Sequence, residues 1–296
     1  MPWLALSGLV ALFYGLHGAW SRHLLRRGEP PAIVVWATFV FGAPAAALSL
    51  LWEGAPAEIQ PAFLGALAVS LVINLVAMTL LMRALAEGKL SIVYPLLSLT
   101  PLAIVATEWS YYRMLPSRLG ALGVALMAGG VYALHLESRT HHWFGPLRSL
   151  AQKPSRYALA VALLWSVSSV ADKVATQASS PAMYITLFNV LFALLYLPAA
   201  LRARRRSAPR GNEAPGASRT QRLGMLLLLG ALWGVMALLQ MHAITLTNVS
   251  YVIATKRSGA LVAVLFGSLA FREGALASRL AGALLMTAGV WCLAWA

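Results

Sequence analysis

The sequence predicts an all-α integral membrane protein with ten transmembrane helices, arranged as two inverted repeats of five. Three observations lead to this fold class: the composition, the spacing of the apolar runs, and an internal repeat. Of 296 residues, 60% are hydrophobic and 11% are charged, which is far from the composition of soluble globular chains. A span needs about 20 apolar residues to cross about 30 Å of hydrocarbon. Ten spans therefore use most of the chain and leave short loops.

Ten apolar runs, separated by glycine, proline or charged residues, are the predicted spans. The first five are Trp3–Ser21, Ala32–Trp52, Pro61–Met82, Leu90–Tyr112 and Leu119–Leu136. The second five are Tyr157–Ala175, Pro181–Leu201, Leu223–Leu246, Val249–Phe271 and Leu276–Ala296. We therefore divide the chain into a first repeat over residues 1–137, a cytoplasmic linker over residues 138–156, and a second repeat over residues 157–296.

The distribution of basic residues predicts how the helices are oriented. Cytoplasmic loops retain Lys and Arg, and eighteen of the 23 basic residues fall in the odd-numbered loops. The even-numbered loops hold only Arg113 and Arg118, and the termini hold none. Both termini are therefore predicted on the non-cytoplasmic side of the plasma membrane, the inner membrane in a bacterium. A net charge of +14 does not predict a nucleic-acid partner, because that needs a basic face on a water-soluble domain.

An internal repeat relates the two sets of five runs. A shift of 159 residues aligns Gly123 with Gly282, Met127 with Met286, and Gly130 with Gly289. A shift of 151 residues aligns Arg22 with Lys173, and Pro30 with Pro181. Since each half has an odd number of spans, the second half enters the membrane in the opposite sense. Inverted repeats recur in secondary transporters, with the substrate site near the midplane between the halves.

These features resemble the drug/metabolite transporter superfamily, in its ten-helix branch built from two EamA-type repeats. The resemblance covers essentially the whole chain and includes the paired helix starts at Ala11 and Ala162 and the turn at Arg272-Glu273. It implies alternating-access transport of a small molecule through a cavity lined by helices one, three, four, six, eight and nine. The segment from Val252 to Arg257 also resembles the phosphate-translocator and nucleotide-sugar branches, in which a Lys-Arg pair on helix nine meets the anionic part of the substrate.

Apart from Arg279, which lies in the first turn of the tenth span and is counted with the loop before it, three cations lie inside predicted spans: Lys173, Lys256 and Arg257. Each costs at least ~2.5 kcal/mol on insertion scales, so each needs a partner. Counted along their helices, Lys173 and Lys256 lie at similar depths, and they could line one cavity that holds a carboxylate or phosphate. Neighbours on a helix diverge by about 100°, so we expect Lys256 and Arg257 to point in different directions. Structural ion pairs with Asp172 or Glu108 are the alternative.

Polar and aromatic residues in the predicted cavity-lining helices complete the substrate-binding prediction. They are Tyr14, His17, Tyr94, Ser98, Trp165, Gln240 and His242. The Tyr94-Pro95 and Thr100-Pro101 breaks in helix four indicate either a transport path or a packing kink. Asn74 and Asn189 are expected to form hydrogen bonds between helices.

The sequence predicts neither catalytic nor metal-binding residues, and no cofactor. His141-His142 has no carboxylate or thiol at ligand spacing. The predicted function is a secondary transporter that moves a small anionic or zwitterionic organic metabolite, with that solute and the lipid bilayer as partners. A lipid-linked sugar flippase is an alternative, as is an integral membrane enzyme acting on lipid, which would need clustered acids or histidines. Three pairs of glycines suit close helix packing or a homodimer contact: Gly129 with Gly130, Gly120 with Gly123, and Gly282 with Gly289.

Overall fold

A computed structural model describes residues 1–87, 93, 96–97, 99–113, 115–135, 152–206, 219–259 and 276–296. The elements in these ranges are helices. In chain order they are α1 (Pro2–Arg26), α2 (Pro31–Glu53), α3 (Ala62–Glu87), α4 (Thr100–Tyr112), α5 (Arg118–His135), α6 (Lys153–Gln177), α7 (Pro181–Arg206), α8 (Arg219–Leu246), α9 (Val249–Arg257) and α10 (Leu276–Ala294). For helices four and nine, the described elements cover only part of the predicted spans.

Several helices extend past the predicted spans into basic stretches, and α6, α7 and α8 are examples. α6 begins at Lys153, inside the predicted linker, while α7 continues to Arg206 and α8 already begins at Arg219. Arg and Lys favour helices. Pro154 suits the first turn of α6, and the arginines in the last turn of α7 suit the negative end of the helix dipole. The hydropathy runs therefore mark the apolar part of each helix and not its ends.

The outer surface of the bundle is apolar. Six described helices, α1, α2, α3, α6, α7 and α8, are long and apolar enough to cross a membrane, and α5 and α10 contain shorter apolar stretches. Leu64, Leu194 and Leu284 are 70%, 60% and 71% exposed. Contiguous apolar surface of this kind is rare on water-soluble monomers, so lipid is the solvent that this surface fits.

Most contacts between helices repeat when the two halves are exchanged, with α1 to α5 corresponding to α6 to α10, although α2 packs far more extensively on α8 than its counterpart α7 packs on α3. α5 packs on its counterpart α10, and α2 packs on its counterpart α7. α1 packs on α8 as α6 packs on α3, and α1 contacts α9 as α6 contacts α4. This pattern is typical of two inverted repeats related by a pseudo-two-fold axis in the membrane plane.

The crossing of α5 and α10 shows the same symmetry in its close contacts. A Cβ atom on Gly130 would lie 2.7 Å from Cγ of Met286 and 2.8 Å from the carbonyl oxygen of Gly282. A Cβ atom on its counterpart Gly289 would lie 2.7 Å from Cγ of Met127. The 159-residue shift thus relates residues that occupy matching places in the structure. The prediction of close helix packing is confirmed for Gly123, Gly130 and Gly289, whereas Gly129, for which it was also made, has nothing within 4 Å of a Cβ atom.

Aromatic side chains in tilted and edge-to-face contact join α2, α7 and α8. The ring of Phe39 on α2 lies 4.0 Å from the ring of Phe192 on α7 and 5.0 Å from the ring of Trp233 on α8. α8 can approach this closely because Gly42 faces it, where a Cβ atom would lie 2.8 Å from Cδ1 of Trp233. This packing holds the inner face of α8 against the centre of the bundle.

Candidate functional site

The candidate site is built on α9, which is held in place at both ends. At its start, the carboxylate of Glu108 on α4 accepts hydrogen bonds from the backbone N–H groups of Val249 (2.6 Å) and Ser250 (3.0 Å). A carboxylate there satisfies free N–H groups at the positive end of the helix dipole. Just past its end, Gly259 packs so tightly on α1 that a Cβ atom would overlap the carbonyl oxygen of Ala11. These contacts fix the position of the two cations that α9 carries.

Lys256 is half-buried and has neutral partners. Its Nζ donates a 2.7 Å hydrogen bond to Oε1 of Gln240 on α8. The same ammonium lies 5.1 Å from the ring centroid of Tyr14 on α1 and 5.9 Å from that of Trp233 on α8. Both rings are within the range of cation–π attraction.

Arg257 is the most buried cation of the site, with 9% of its surface exposed. Its Nη1 donates to the hydroxyl of Tyr14 at 2.9 Å, and its Nη2 donates to Oγ1 of Thr100 at 3.4 Å. The guanidinium lies 5.5 Å from the ring of Trp165 on α6. Its Nε is buried and has no hydrogen-bond partner among the described residues. One donor of the planar guanidinium is therefore left for another acceptor.

The expectation that Lys256 and Arg257 point in different directions is wrong for their charged groups. Both lie against the same ring, because the guanidinium of Arg257 is 5.8 Å from the centroid of Tyr14 and the ammonium of Lys256 is 5.1 Å from it. Their Cα–Cβ bonds leave the helix at different angles, but both side chains are long enough to reach the same ring. The two cations therefore form one cluster around Tyr14.

Neither acid near the cluster forms a salt bridge with these two cations in the described part of the chain. The carboxylate of Glu108 accepts hydrogen bonds from the first backbone N–H groups of α9. Asp172 on α6 instead accepts hydrogen bonds from the hydroxyl groups of Ser70 and Tyr184. The alternative of structural ion pairs thus does not describe Lys256 or Arg257.

Lys173 is engaged at the turn between α8 and α9. Its Nζ donates a 2.8 Å hydrogen bond to the carbonyl oxygen of Thr247, and it lies 5.3 Å from the ring of Tyr112. The carbonyl groups that follow a helix C-terminus carry partial negative charge, which an ammonium stabilises. The structure therefore separates Lys173 from the cluster around Tyr14, although the two lysines were predicted to share one cavity.

The predicted histidines lie in different surroundings. Nε2 of His17 is 3.3 Å from Oγ1 of Thr38, and its ring is 5.6 Å from that of Trp233, so His17 borders the cluster. Nδ1 of His242 is 2.9 Å from the carbonyl oxygen of Leu238, and its Nε2 is 3.5 Å from Glu53. His242 is therefore bonded within its own helix and to the end of α2. Tyr94 and Ser98 lie outside the described residues.

The two aromatic neighbours of Arg257 come from equivalent places in the two halves. The 151-residue shift that aligns helices one and six also relates Tyr14 to Trp165. Both side chains lie against the guanidinium of Arg257. The cluster therefore occupies the pseudo-two-fold interface between the repeats. This pairing could have been found in the sequence by extending the repeat to every aromatic position, whereas the partner Thr100 carries no comparable signal.

Comparison with known protein families identifies the family of this chain. Residues 1–136 and 155–295 match the EamA-like transporter family. The chain belongs to this family. As an EamA-like transporter it is a multi-pass membrane protein that carries small molecules, and the predicted superfamily and ten-helix all-α fold are confirmed.

The fold of this EamA-like transporter is also found in a solved structure. A chain whose title reads "Crystal structure of protein" superposes with a TM-score of 0.74 over 97% of this chain and 98% of its own length, at 16% identity. At that identity the likeness concerns the fold alone. No curated protein shows significant sequence similarity. In the described part of the chain, no three His, Cys, Asp or Glu side chains are grouped so that they could hold a metal ion.

Proposed function

We propose that this protein is a secondary transporter of small organic anions, in which Lys256 and Arg257 bind the carboxylate or phosphate group of the solute. The solute would bind between the two halves and reach each side of the membrane in turn as the halves rock against each other. This is the arrangement in which inverted-repeat transporters work.

The observation that carries the proposal is a pair of adjacent cations with neutral partners. Lys256 is bonded to the amide oxygen of Gln240, and Arg257 is bonded to the hydroxyls of Tyr14 and Thr100. Two like charges inside a membrane span are costly without an opposite charge. An anionic solute offsets this cost when it binds. The Nε of Arg257, which has no partner among the described residues, adds a donor. Its hydrogen bond to an anion would be charge-assisted, and such bonds are stronger than those between neutral groups.

The aromatic residues favour an organic anion over a bare inorganic ion. Tyr14, Trp165 and Trp233 surround the cations with ring faces. Such faces contact the apolar or planar part of a ligand, while a few polar groups fix its orientation. The proposed solute therefore combines one anionic group with a carbon skeleton that reaches these rings.

The position of the cluster supports alternating access. Its residues come from α1 and α4 in the first half and from α6, α8 and α9 in the second half. Tyr14 and Trp165, which occupy equivalent positions, approach Arg257 from opposite halves. A movement of one half relative to the other would change the surroundings of both cations. Solute binding and conformational change would therefore be linked at this site.

Counterflow in proteoliposomes tests the proposal. Vesicles loaded with monocarboxylates, dicarboxylates or phosphate esters are assayed for uptake of the labelled solute, alongside neutral and cationic solutes. We expect wild-type protein to exchange at least one anion. Lys256→Gln and Arg257→Gln should each lower kcat/KM by about 30-fold, because a charge-assisted hydrogen bond contributes about 2 kcal/mol.

Two further variants serve as controls for charge and folding. Lys153→Gln removes an exposed lysine at the start of α6 and should leave exchange unchanged. Arg257→Lys keeps the charge and should retain more activity than Arg257→Gln, although it loses the planar fork. Each variant is first checked for a monodisperse profile in detergent. Anion exchange at the wild-type rate by both Gln variants, or exchange of neutral or cationic solutes alone, would overturn the proposal.

A further inference from the structure

A second polar cluster lies where α3, α6 and α7 meet. Asp172 on α6 accepts hydrogen bonds from the hydroxyls of Ser70 on α3 and Tyr184 on α7. The hydroxyl of Ser168 lies 3.2 Å from that of Ser70, and Asn74 donates to Ser168 at 2.6 Å. In this cluster four neutral polar side chains surround a single carboxyl group.

No cation neutralises Asp172 by direct contact within the described residues. The salt bridges in this part of the chain involve Glu29 and Glu53, and Lys173, its neighbour in sequence, is bonded to Thr247 instead. Asp172 lies in the last two turns of α6, and a carboxylate within a membrane span is costly, so such residues mark proton relays in pumps and transporters. Asp172 is half-buried, and a role in proton transport requires that its carboxyl group exchange a proton with water.

The spacing of the oxygen atoms favours a proton over a metal cation. The Ser70 hydroxyl lies 3.1 Å from that of Tyr184 and 3.2 Å from that of Ser168, and it also donates to Asp172. A hard cation with oxygen ligands at about 2.4 Å needs neighbouring oxygens roughly 3.4 Å apart in an octahedral site. Here the oxygens bond to one another and leave no central space, whereas a proton needs only one oxygen.

Asp172 is also linked electrostatically to the cation cluster. It interacts with Lys256 on α9 without forming a direct ion pair. An ionised Asp172 therefore competes with an anionic solute for the charge of Lys256. Uptake of a proton by Asp172 removes this competition. Because coupling between two binding sites is reciprocal, binding of the solute in turn favours the protonated form of Asp172.

We propose that Asp172 is the proton-binding site of this transporter and that it couples the movement of one proton to the movement of the anion in the same direction. The inference rests on the proposed function. In the coupled cycle, the carboxylate takes a proton from one aqueous side, becomes a carboxylic acid, and releases the proton on the other side. No other bond forms or breaks.

The hydroxyl groups around Asp172 can adapt to both states. The ionised carboxylate only accepts hydrogen bonds, while the protonated form must donate one. Ser70 can rotate its O–H from Asp172 to Ser168, since either serine can be the donor in that pair. This frees the oxygen of Ser70 to accept from the protonated carboxyl group.

Other titratable groups close to Asp172 could also produce a pH response, and they can be named helix by helix. Tyr184 from α7 and Lys256 from α9 face it, and α3 contributes only the neutral Ser70 and Asn74. Glu108 and Tyr112 of α4 lie at the α9 start and beside Lys173. His242 of α8 is bonded to Leu238 and lies beside Glu53.

Proton coupling is tested in proteoliposomes that contain a pH-sensitive dye and an anion exchanged by the wild-type protein. We expect an inward proton gradient to drive anion accumulation and added anion to acidify the lumen. Asp172→Asn, which mimics the neutral carboxyl group, should lose both responses at least tenfold and still perform anion counterflow. Glu53→Gln, an exposed acid at the end of α2, should keep both responses. Tyr184→Phe should keep coupling and move the midpoint of the pH dependence upward, since the ionised carboxylate loses a donor.

The outcomes separate this inference from the proposed function. Counterflow by wild-type protein without any proton movement would overturn the coupling proposal and leave anion transport intact. Proton-driven accumulation by Asp172→Asn at the wild-type level would also overturn it. Absence of counterflow for every anion would instead show failure of the proposed function, and the coupling proposal with it. If Asp172→Asn does not fold, Tyr184→Phe decides, because an unchanged midpoint contradicts a role for Asp172.

Discussion

The interface of α1 with α8 and the interface of α6 with α3 are equivalent under exchange of the two halves, but their side chains differ. Where α1 meets α8, the rings of His17 and Trp233 lie 5.6 Å apart. At the equivalent positions of α6 and α3, the hydroxyl of Ser168 accepts a hydrogen bond from Asn74. The same shifts of 151 and 159 residues relate His17 to Ser168 and Asn74 to Trp233.

The difference shows that backbone packing and chemistry follow different rules in this molecule. Helix pairs and small residues repeat in both halves, because the close approach of two backbones depends on the shape of the helices. Some basic residues repeat, as Arg22 and Lys173 do, but the central charges of the two polar clusters do not. Lys256 corresponds to Leu97, and Asp172 corresponds to Ser21. Lys256 and Asp172 are therefore each present once, on a scaffold that supplies two equivalent interfaces.

The largest effect on stability is expected from a contact that breaks the symmetry. Glu108 caps α9, and Gly267 stands at the equivalent position of the second half. Glu108→Ala leaves two buried N–H groups without an acceptor and should lower the free energy of unfolding by about 2 to 4 kcal/mol. Unfolding in mixed micelles measures this. Glu53→Ala, an acid at the exposed end of α2, should cost less than about 0.5 kcal/mol, and an equal loss in both variants would refute the capping role.

A smaller and equal effect is expected on the two sides of the symmetric crossing. Gly130→Ala and Gly289→Ala each place a Cβ atom 2.7 Å from a methionine Cγ of the facing helix. Each should lower the free energy of unfolding by about 1 to 3 kcal/mol, as overpacking does in protein cores. Gly129→Ala is the matched control, because nothing lies within 4 Å of a Cβ atom there. A loss in only one of the two variants would show that the crossing is not symmetric.

The sequence predicts the helices and their close contacts better than it predicts the hydrogen-bond partners at the site. The apolar runs predict the helices because every lipid-facing residue contributes to the pattern. The glycine pairs of α5 and α10 were predictable because they recur at one shift. By contrast, the hydrogen bond from Lys173 to the carbonyl oxygen of Thr247 was not predicted, since the side of a helix that a residue faces depends on packing between distant helices.

The contacts of Asp172 and Glu108 could not be predicted from the sequence for the same reason. Both acids were recognised as candidate partners for cations, because an acid and a base at similar depth suit an ion pair. In the structure, Asp172 is bonded to hydroxyl groups and Glu108 to backbone N–H groups. The hydroxyls of Ser70 and Tyr184 bond to Asp172, and the start of α9 bonds to Glu108. The cations of the cluster around Tyr14 therefore have neutral partners.

The smallest effect is expected at a second contact that breaks the symmetry, between the α1–α2 turn and the start of α8. There, Glu29 forms a bidentate salt bridge with Arg222, whose side chain is 46% exposed. The equivalent positions of the other half hold Ser180 and Phe63, which cannot form such a pair. The side chain of Glu29 is 10% exposed. Glu29→Gln should lower the free energy of unfolding by about 1 kcal/mol, since solvent screens the half-exposed guanidinium and Gln keeps a hydrogen-bond acceptor.

The salt dependence of that loss distinguishes an ion pair from packing. At about 1 M salt the screening length falls to roughly 3 Å, so wild type and Glu29→Gln should become equally stable. Arg222→Gln should behave in the same way, and the double variant should be no less stable than either single variant. A loss that persists in high salt would mean that Glu29 stabilises the turn through its own packing. The contact would then stabilise the turn through side-chain packing, and its charges would contribute nothing to the difference between the two halves.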